Sequence, residues 1–309
     1  MRVLVTGGCG FIGSHLVDAL YADGHEIAIY DDFSKGKYLP NHVISYTGDI
    51  RNKNTLAATF KKFQPEVVFH LAAHHYIPFC ESNPYEAFSV NVMGTINVAD
   101  CCSNTNSVNK LFYASTGDVY PPVGYASRES DTLSPVYIYG ETKLIGEQIL
   151  KRYKSSSAVS YDITIGRLFN AAGSRETNPH LLPEISKQLD LGVNKIEVGN
   201  LWPIRDFIDV CSMASVIKDL TFKTRGLEVI NIGSGQVQTV EDAITTLVKS
   251  HNSEAIVISV DERKRPNDRP FLCPNVDRLR NLLGRACDPF THETAKSIFS
   301  SPVEHRFQY

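Results

Sequence analysis

Residues 2–32 set the tightest limit on what this chain can fold into. Arg2–Thr6 is an apolar run of strand length that leads straight into Gly7-Gly8-Cys9-Gly10-Phe11-Ile12-Gly13. Behind the glycines, Leu16, Ala19 and Leu20 recur with helical spacing, and Gly24 stops the helix. Glu26–Tyr30 then forms a second strand, closed by Asp31-Asp32. Strand, glycine turn, helix, strand and acid together predict a dinucleotide site. The glycines let the backbone turn tightly and approach a pyrophosphate at a helix amino terminus, while the acid accepts hydrogen bonds from a ribose diol. An acid at Asp31 also repels a phosphate on that ribose, which favours NAD over NADP.

The alternation continues. Ile44–Tyr46 followed by Gly48-Asp49-Ile50 predicts a third strand ending in an acid, and Asn54–Phe63 a helix. Val67–Ala73 is unbroken and apolar, as in strands buried on both faces. The small residues at its end suit a sheet edge over which a cofactor lies. Asn91–Cys102 has helical spacing at Val92, Ile96, Ala99 and Cys102, and Lys110–Ser115 is a strand leading into Thr116-Gly117-Asp118. A helix carrying Tyr139 and Lys143 runs to about Tyr153, Ser155-Ser156-Ser157 breaks it, and Asp162–Leu168 is a further strand. Such regular alternation predicts an α/β fold, with a doubly wound parallel sheet wrapped on both faces.

After Gly173 the pattern loosens. Helix Leu182–Leu191, strand Lys195–Val198, strand Arg205–Val210, a helix to Phe222, strand Val229–Gly233 and helix Val240–Ser250 are expected. The expected division is a cofactor domain over residues 1–172 and a smaller α/β substrate domain over 173–309, partly interleaved with the first.

Tyr139 and Lys143 lie four apart, on one face of a helix. A phenol with a reference pKa near ~10 is a poor base at neutral pH, and a nearby cation favours its phenolate. The pair can take a proton from an alcohol whose hydride leaves for a cofactor. The spacing alone is cheap by chance. It gains its meaning from the dinucleotide unit upstream.

A net charge of −3 on 309 residues offers no argument for nucleic acid or anionic membranes. No stretch approaches the ~20 apolar residues of a membrane span, and Met1–Gly7 is too short an apolar run for a signal peptide. None of the seven cysteines falls in a Cys-x-x-Cys spacing. No acid or cysteine stands at a ligand-like interval from His74-His75. Reduced thiols, a cytoplasmic setting and no bound metal are expected. Two readings stand for His74-His75: a packed or solvated pair, or a ligand contact, since their loop leaves the end of a cofactor strand. For the basic stretch Arg263–Pro270 a solvated loop and a pyrophosphate site are both compatible with composition.

Taken together, Thr6-Gly7-x-x-Gly10-Phe11-Ile12-Gly13, Gly48-Asp49-Ile50, His70-Leu71-Ala72-Ala73, Asn91-Val92-x-Gly94-Thr95, Tyr139-Gly140-x-x-Lys143, Arg167-x-Phe169-Asn170, Arg205-Asp206-Phe207-Ile208 and Arg265-Pro266-Asn267-Asp268 form a specific set. The chain resembles the extended short-chain dehydrogenase/reductases, and within them the NAD-dependent epimerase/dehydratase group acting on nucleotide sugars. The resemblance implies a Rossmann-type domain and NAD as cofactor. It also implies a nucleotide-diphosphate sugar as substrate and a homodimer, in which helices 91–102 and 139–153 pair with their symmetry mates. The implied cofactor residues are Gly7, Gly10, Phe11, Ile12, Gly13, Asp31, Asp32, Ser34, Asp49, Ile50, Leu71, Ala72, Ala73, Ser115, Tyr139 and Lys143. Tyr139 is then the base, Lys143 binds the nicotinamide ribose and lowers the tyrosine pKa, and Thr116 hydrogen-bonds the hydroxyl being oxidised. Asn170, Arg205 and Arg265 contact the substrate diphosphate. The chain departs from the family at Cys9, at Asp209-Val210-Cys211-Ser212 and at Arg285.

Members of the group begin alike, oxidising a sugar hydroxyl to a ketone. A 4,6-dehydratase then needs an Asp-Glu pair directly after the threonine, and here Gly117 and Asp118 stand in its place. Decarboxylases of uronic acids carry Thr-Ser-Glu, which Thr116-Gly117-Asp118 approaches. Epimerisation through a 4-keto sugar needs no such pair and ranks first, dehydration or decarboxylation second. Asp118 belongs with the catalytic set as the residue that could change this ranking. Were a second acid required, His75 or Tyr76 would be the first places to look. A catalytically retired NAD-binding regulator is the remote alternative, against which the intact Tyr139, Lys143 and Thr116 argue.

Overall fold

A computed structural model describes residues 1–155, 159–264 and 268–300. Seven strands build the main sheet: β1 (Arg2–Thr6), β2 (Glu26–Asp31), β3 (Ile44–Thr47), β4 (Val67–His70), β5 (Lys110–Thr116), β6 (Asp162–Leu168) and, after four short strands elsewhere, β11 (Leu227–Ile232). Their order is β11-β6-β5-β4-β1-β2-β3, with every neighbouring pair parallel. The inner strands β1, β4 and β5 are buried almost throughout, as their apolar runs require. Helices close both faces. α1 (Phe11–Ala22), α8 (Val210–Lys223) and α10 (Asp277–Leu283) bury Leu16, Leu20, Met213, Ile217 and Leu279 on one side. α2 (Lys53–Phe63), α5 (Gly94–Ser103) and α6 (Ile138–Ser155) bury Leu56, Phe60, Val98 and Leu150 on the other. β1 lies between β2 and β4, so the loops leaving β1 and β4 part at their carboxyl ends and open a crevice.

A separate core gathers α7 (Leu181–Asp190), α9 (Val240–Ser250) and α11 (His292–Ser300) around Leu182, Ile185, Ile244, Leu247 and Ile298, with β8 (Lys195–Val198) and β13 (Ile256–Ser259) beside it. Thr239 and Asp242 start α9 with a reciprocal capping box. Between the two cores run β7 (Asn170–Ala172), β9 (Ile204–Arg205), β10 (Phe207–Asp209), β12 (Gln238–Thr239) and β14 (Phe271–Leu272), paired as β7 with β10 and as β12-β9-β14.

Three elements differ from the sequence expectation. The strand expected over Val67–Ala73 stops at His70. Leu71 N–H still reaches Thr6 O at 3.1 Å, but the chain then crosses the crevice as a loop. The helix expected from Asn91 starts inside a π-helical turn, Ser89–Met93, and becomes regular only at Gly94. The strand expected over Arg205–Val210 is cut at Asp206. Its buried carboxylate accepts from Ser234 N and Gly235 N, both at 2.9 Å, and from the Ser234 hydroxyl. Turning that side chain under the 233–235 loop places β9 and β10 in different sheets. The serine break is met by α6 ending at Ser155; Ser156 and Ser157 lie outside the described residues.

Candidate active site

The glycine turn is a case of close approach. Gly7 has φ +72°, and a Cβ there would stand 2.6 Å from Ala72 N. A Cβ on Gly13 would fall 2.1 Å from Gly7 O. No other residue lets β1, α1 and the loop after β4 meet this tightly. At the start of α1, Gly10 offers no side-chain cap, so first-turn N–H groups remain for an anion from outside. Asp31 closes the turn by accepting from Cys9 N and Phe33 N, each at 2.9 Å, and its burial pushes the carboxyl up from the usual range. Ser34 donates to Asp32 Oδ1 from both its N–H (2.9 Å) and its hydroxyl (2.7 Å). Asp49 is held by Arg51, which also pairs with Glu86 at 2.6 Å, and Ile50 packs into the space left by Gly94.

Gly7, Gly10, Gly13, Asp31, Asp32, Ser34, Asp49 and Ile50, with Phe11, Ile12, Leu71, Ala72 and Ala73, line one cavity of about 1030 Å³. The same cavity takes in Ser115, Thr116, Asp118, Tyr139, Lys143, Asn170 and Arg205. Arg265 lies outside the described residues. The Ser115 hydroxyl is already committed, donating to buried Glu147 at 2.6 Å. Glu147 is in turn gripped by both arms of Arg167 (2.9 and 2.8 Å). This buried pair ties β5, α6 and β6 together directly beneath the site.

Asn91, just 1% exposed, has a task its sequence motif does not reveal. Its amide accepts from His74 N (2.8 Å) and donates to His74 O (2.8 Å) and to Thr142 Oγ1 (2.9 Å). One side chain thus pins the loop after β4 to the helix that carries Tyr139 and Lys143. The π turn aims it there, in keeping with the frequent placement of such turns at functional sites.

Tyr139 stands half-buried on the cavity wall. Desolvation and the Asp118 charge push its hydroxyl well above the usual phenol range, and the nearby Thr116 hydroxyl draws it back. Lys143, 2% exposed, is lowered by desolvation to about 7, and its Nζ rests 4.7 Å from the centre of the Tyr113 ring. Burial governs both groups, raising the acid and weakening the cation. Thr116 Oγ1 accepts from Asp118 N at 3.2 Å and donates to Asp118 Oδ2 at 3.4 Å. Gly117 packs beneath Phe169, where a Cβ would meet the ring at 2.9–3.0 Å.

On the opposite wall, Arg205 donates to Asp268 Oδ1 (3.0 Å), and Asn200 to Asp268 Oδ2 (3.1 Å). Arg269 donates to Tyr120 O at 2.9 Å and lies 3.7 Å from Asp118. Asn170 Oδ1 and Arg269 Nη1 are buried without a hydrogen-bond partner. Orphans of this kind at a cavity are what a polar ligand satisfies. The sequence departures are structural. Asp209 caps α8 at Ser212 N (2.8 Å) and receives Thr294 Oγ1 (2.8 Å), while Arg285 pairs with Asp219 at 2.6 Å. Asn200 was missed because nothing in its local sequence ties it to Asp268, and Arg269 was read only as part of the basic stretch, its approach to Asp118 being remote in sequence. Glu176 and His180, which the fold carries to His75, were missed because they lie far from it in the chain.

A parallel sheet with a glycine turn at its switch point, and a Tyr-x-x-x-Lys helix beside the same cavity, defines a dinucleotide-dependent enzyme of the Rossmann class. The chain belongs to the NAD dependent epimerase/dehydratase family, whose model matches residues 3–233. NAD is its cofactor, and the cradle at Gly7, Gly13 and Asp31 fits that group. A putative UDP-glucose 4-epimerase from Methanocaldococcus jannaschii is 31% identical, over 78% of this chain and 79% of that protein. The solved UDP-glucose 4-epimerase of Thermus thermophilus with NAD superposes with a TM-score of 0.88 at 27% identity, covering 99% of both chains. A UDP-N-acetylglucosamine 4-epimerase from Methanobrevibacter ruminantium, in complex with UDP-N-acetylmuramic acid, has a TM-score of 0.87 at 27% identity, over 97% of both.

Proposed function

We propose that this chain is an NAD-dependent nucleotide-sugar 4-epimerase. The observation that carries the choice over dehydration is Gly117. No acid follows Thr116 directly, a Cβ at Gly117 would crowd the Phe169 ring, and Asp118 is engaged with Thr116 and Arg269. Bound NAD supplies the hydride acceptor and donor. Tyr139 takes the proton from the sugar's 4-hydroxyl, and Thr116 orients that hydroxyl. Burial lowers Lys143 to about 7, and its charged form favours the phenolate. After the keto sugar turns over, Tyr139 returns the proton as the hydroxyl re-forms on the other face. Asn170, Arg205 and Arg269 offer donors and an unsatisfied acceptor to the rest of the substrate.

Incubation with NAD and a panel of UDP-, dTDP-, GDP- and CDP-sugars, followed by NMR and mass analysis, tests this. The expected product is the carbon-4 epimer at unchanged mass. Loss of water or carbon dioxide would replace the reading with dehydration or decarboxylation. NAD should bind more tightly than NADP by calorimetry at fixed salt, because Asp31 opposes a ribose phosphate.

The working form is a homodimer in a cytoplasmic setting. Half-exposed Val92, Ile96, Ile145 and Ile149, with exposed Met93, give helices 89–103 and α6 an apolar outer strip suited to a two-fold interface. Sedimentation at micromolar concentration should return twice the chain mass. All seven cysteines are free thiols, and no described helix is long and apolar enough to cross a membrane.

A further inference from the structure

We propose that His75, Glu176 and His180 form a binding site for a divalent transition-metal ion in the wall of the cavity, with coordination positions left open to an oxygen ligand. The fold brings them from the loop after β4 and the segment before α7, and their donor atoms all lie within 4.8 Å of one another. Two imidazoles and one carboxylate suit zinc or iron(II), whereas magnesium and calcium prefer all-oxygen surroundings. Three protein ligands beside a cavity resemble sites in which a metal keeps a position for substrate or water.

The chemistry of each group agrees. Asn178 Nδ2 stands 2.9 Å from His75 Nε2 and holds the ring in the cluster. The His75 and His180 rings stack with centroids 5.4 Å apart at 23°. Glu176 Oε1 accepts from Thr177 N (2.8 Å) and Asn178 N (3.1 Å), which fixes the carboxylate. Among the described residues it forms no ion pair with Lys or Arg. A cation at the cluster supplies the missing charge. Donors of a tetrahedral ion with bonds of about 2 Å stand about 3.3 Å apart, so binding draws these side chains inward by about an ångström and replaces the Asn178 contact.

The test uses the NAD-loaded protein without sugar and reads no turnover, so its outcome is independent of the epimerase reading. Zinc chloride is titrated calorimetrically, and cobalt(II) is followed through its visible bands. One equivalent of zinc should bind with micromolar affinity or better, cobalt should give the intense bands of a low-coordinate site, and excess magnesium should not compete. Glu176→Gln and His180→Asn should each weaken zinc at least about tenfold without lowering the NAD content. Since either substitution alone could disturb the fold, melting curves are taken for both. Absence of a saturable zinc site in the wild type, or unchanged affinity in the folded variants, overturns the proposal.

Discussion

The two walls of the cavity are made by different means. The cofactor wall is largely backbone: Gly7 and Gly13 at contact distance from Ala72 and Gly7 O, free first-turn N–H groups on α1, and an aspartate held by Cys9 N and Phe33 N. The wall proposed to face the substrate is made of side chains drawn from distant segments, with Arg205 on Asp268, Arg269 beside Asp118, and Asn170 Oδ1 left unsatisfied. On the proposed reading the first wall holds NAD, a group common to many enzymes, and depends on the chain's path. The second can change its ligand by exchanging side chains while the path stays put. Substitutions should therefore act differently on the two sides, and Tyr139 stands where they meet.

The largest effect is expected at that junction. Tyr139→Phe keeps the packed ring and removes the proton carrier, so kcat should fall by about 10³-fold or more, while NAD content measured by absorbance stays at wild-type level. If activity stayed within tenfold, the tyrosine would have no part in the chemistry.

On the cofactor wall, Gly13→Ala puts a methyl 2.1 Å from Gly7 O. The backbone must give way, and NAD affinity should fall by about a hundredfold, equivalent to ~2.7 kcal/mol, with sugar affinity following only because the cofactor is lost. Arg205→Met on the facing wall should do the reverse. Losing a charge-assisted bond to the substrate should raise KM about tenfold and leave NAD binding intact by calorimetry. A Gly13→Ala protein that held NAD normally, or an Arg205→Met protein that released it, would erase the distinction between the walls.

The same contrast explains what the sequence disclosed. Strand, glycine turn, helix and acid are consecutive, so residues 2–32 point to a dinucleotide cradle by local pattern alone, and the alternation of strands and helices points to the parallel sheet. The cut at Asp206 was invisible because its cause, the 233–235 loop, is remote in sequence. The end of β4 at His70 reflects the switch point and not propensity, since Leu71-Ala72-Ala73 reads as strand as well as any neighbour. Asn91 was legible as a motif but not as a pin between His74 and Thr142. Gly117 was legible as the loss of an acid, and only the fold shows that a side chain added there would crowd the Phe169 ring.

The smallest effect is expected at Asp118, where the reaction itself is decided. A carboxylate here can act on carbon 5 only if it is free to take that proton. Instead Asp118 Oδ2 receives the Thr116 hydroxyl, and Oδ1 faces Arg269 at 3.7 Å. Asp118→Asn keeps the shape and retains an oxygen for Thr116. It also removes the charge that opposes ionisation of Tyr139. These two consequences pull in opposite directions, weaker orientation of Arg269 against an easier phenolate, and the net change in kcat should stay within about threefold, less than 1 kcal/mol. In heavy water no deuterium should appear at carbon 5. A general base there would be worth ~10²–10⁴-fold. A loss of that size, together with deuterium at carbon 5, would make Asp118 a working base and move the chain from epimerisation to dehydration.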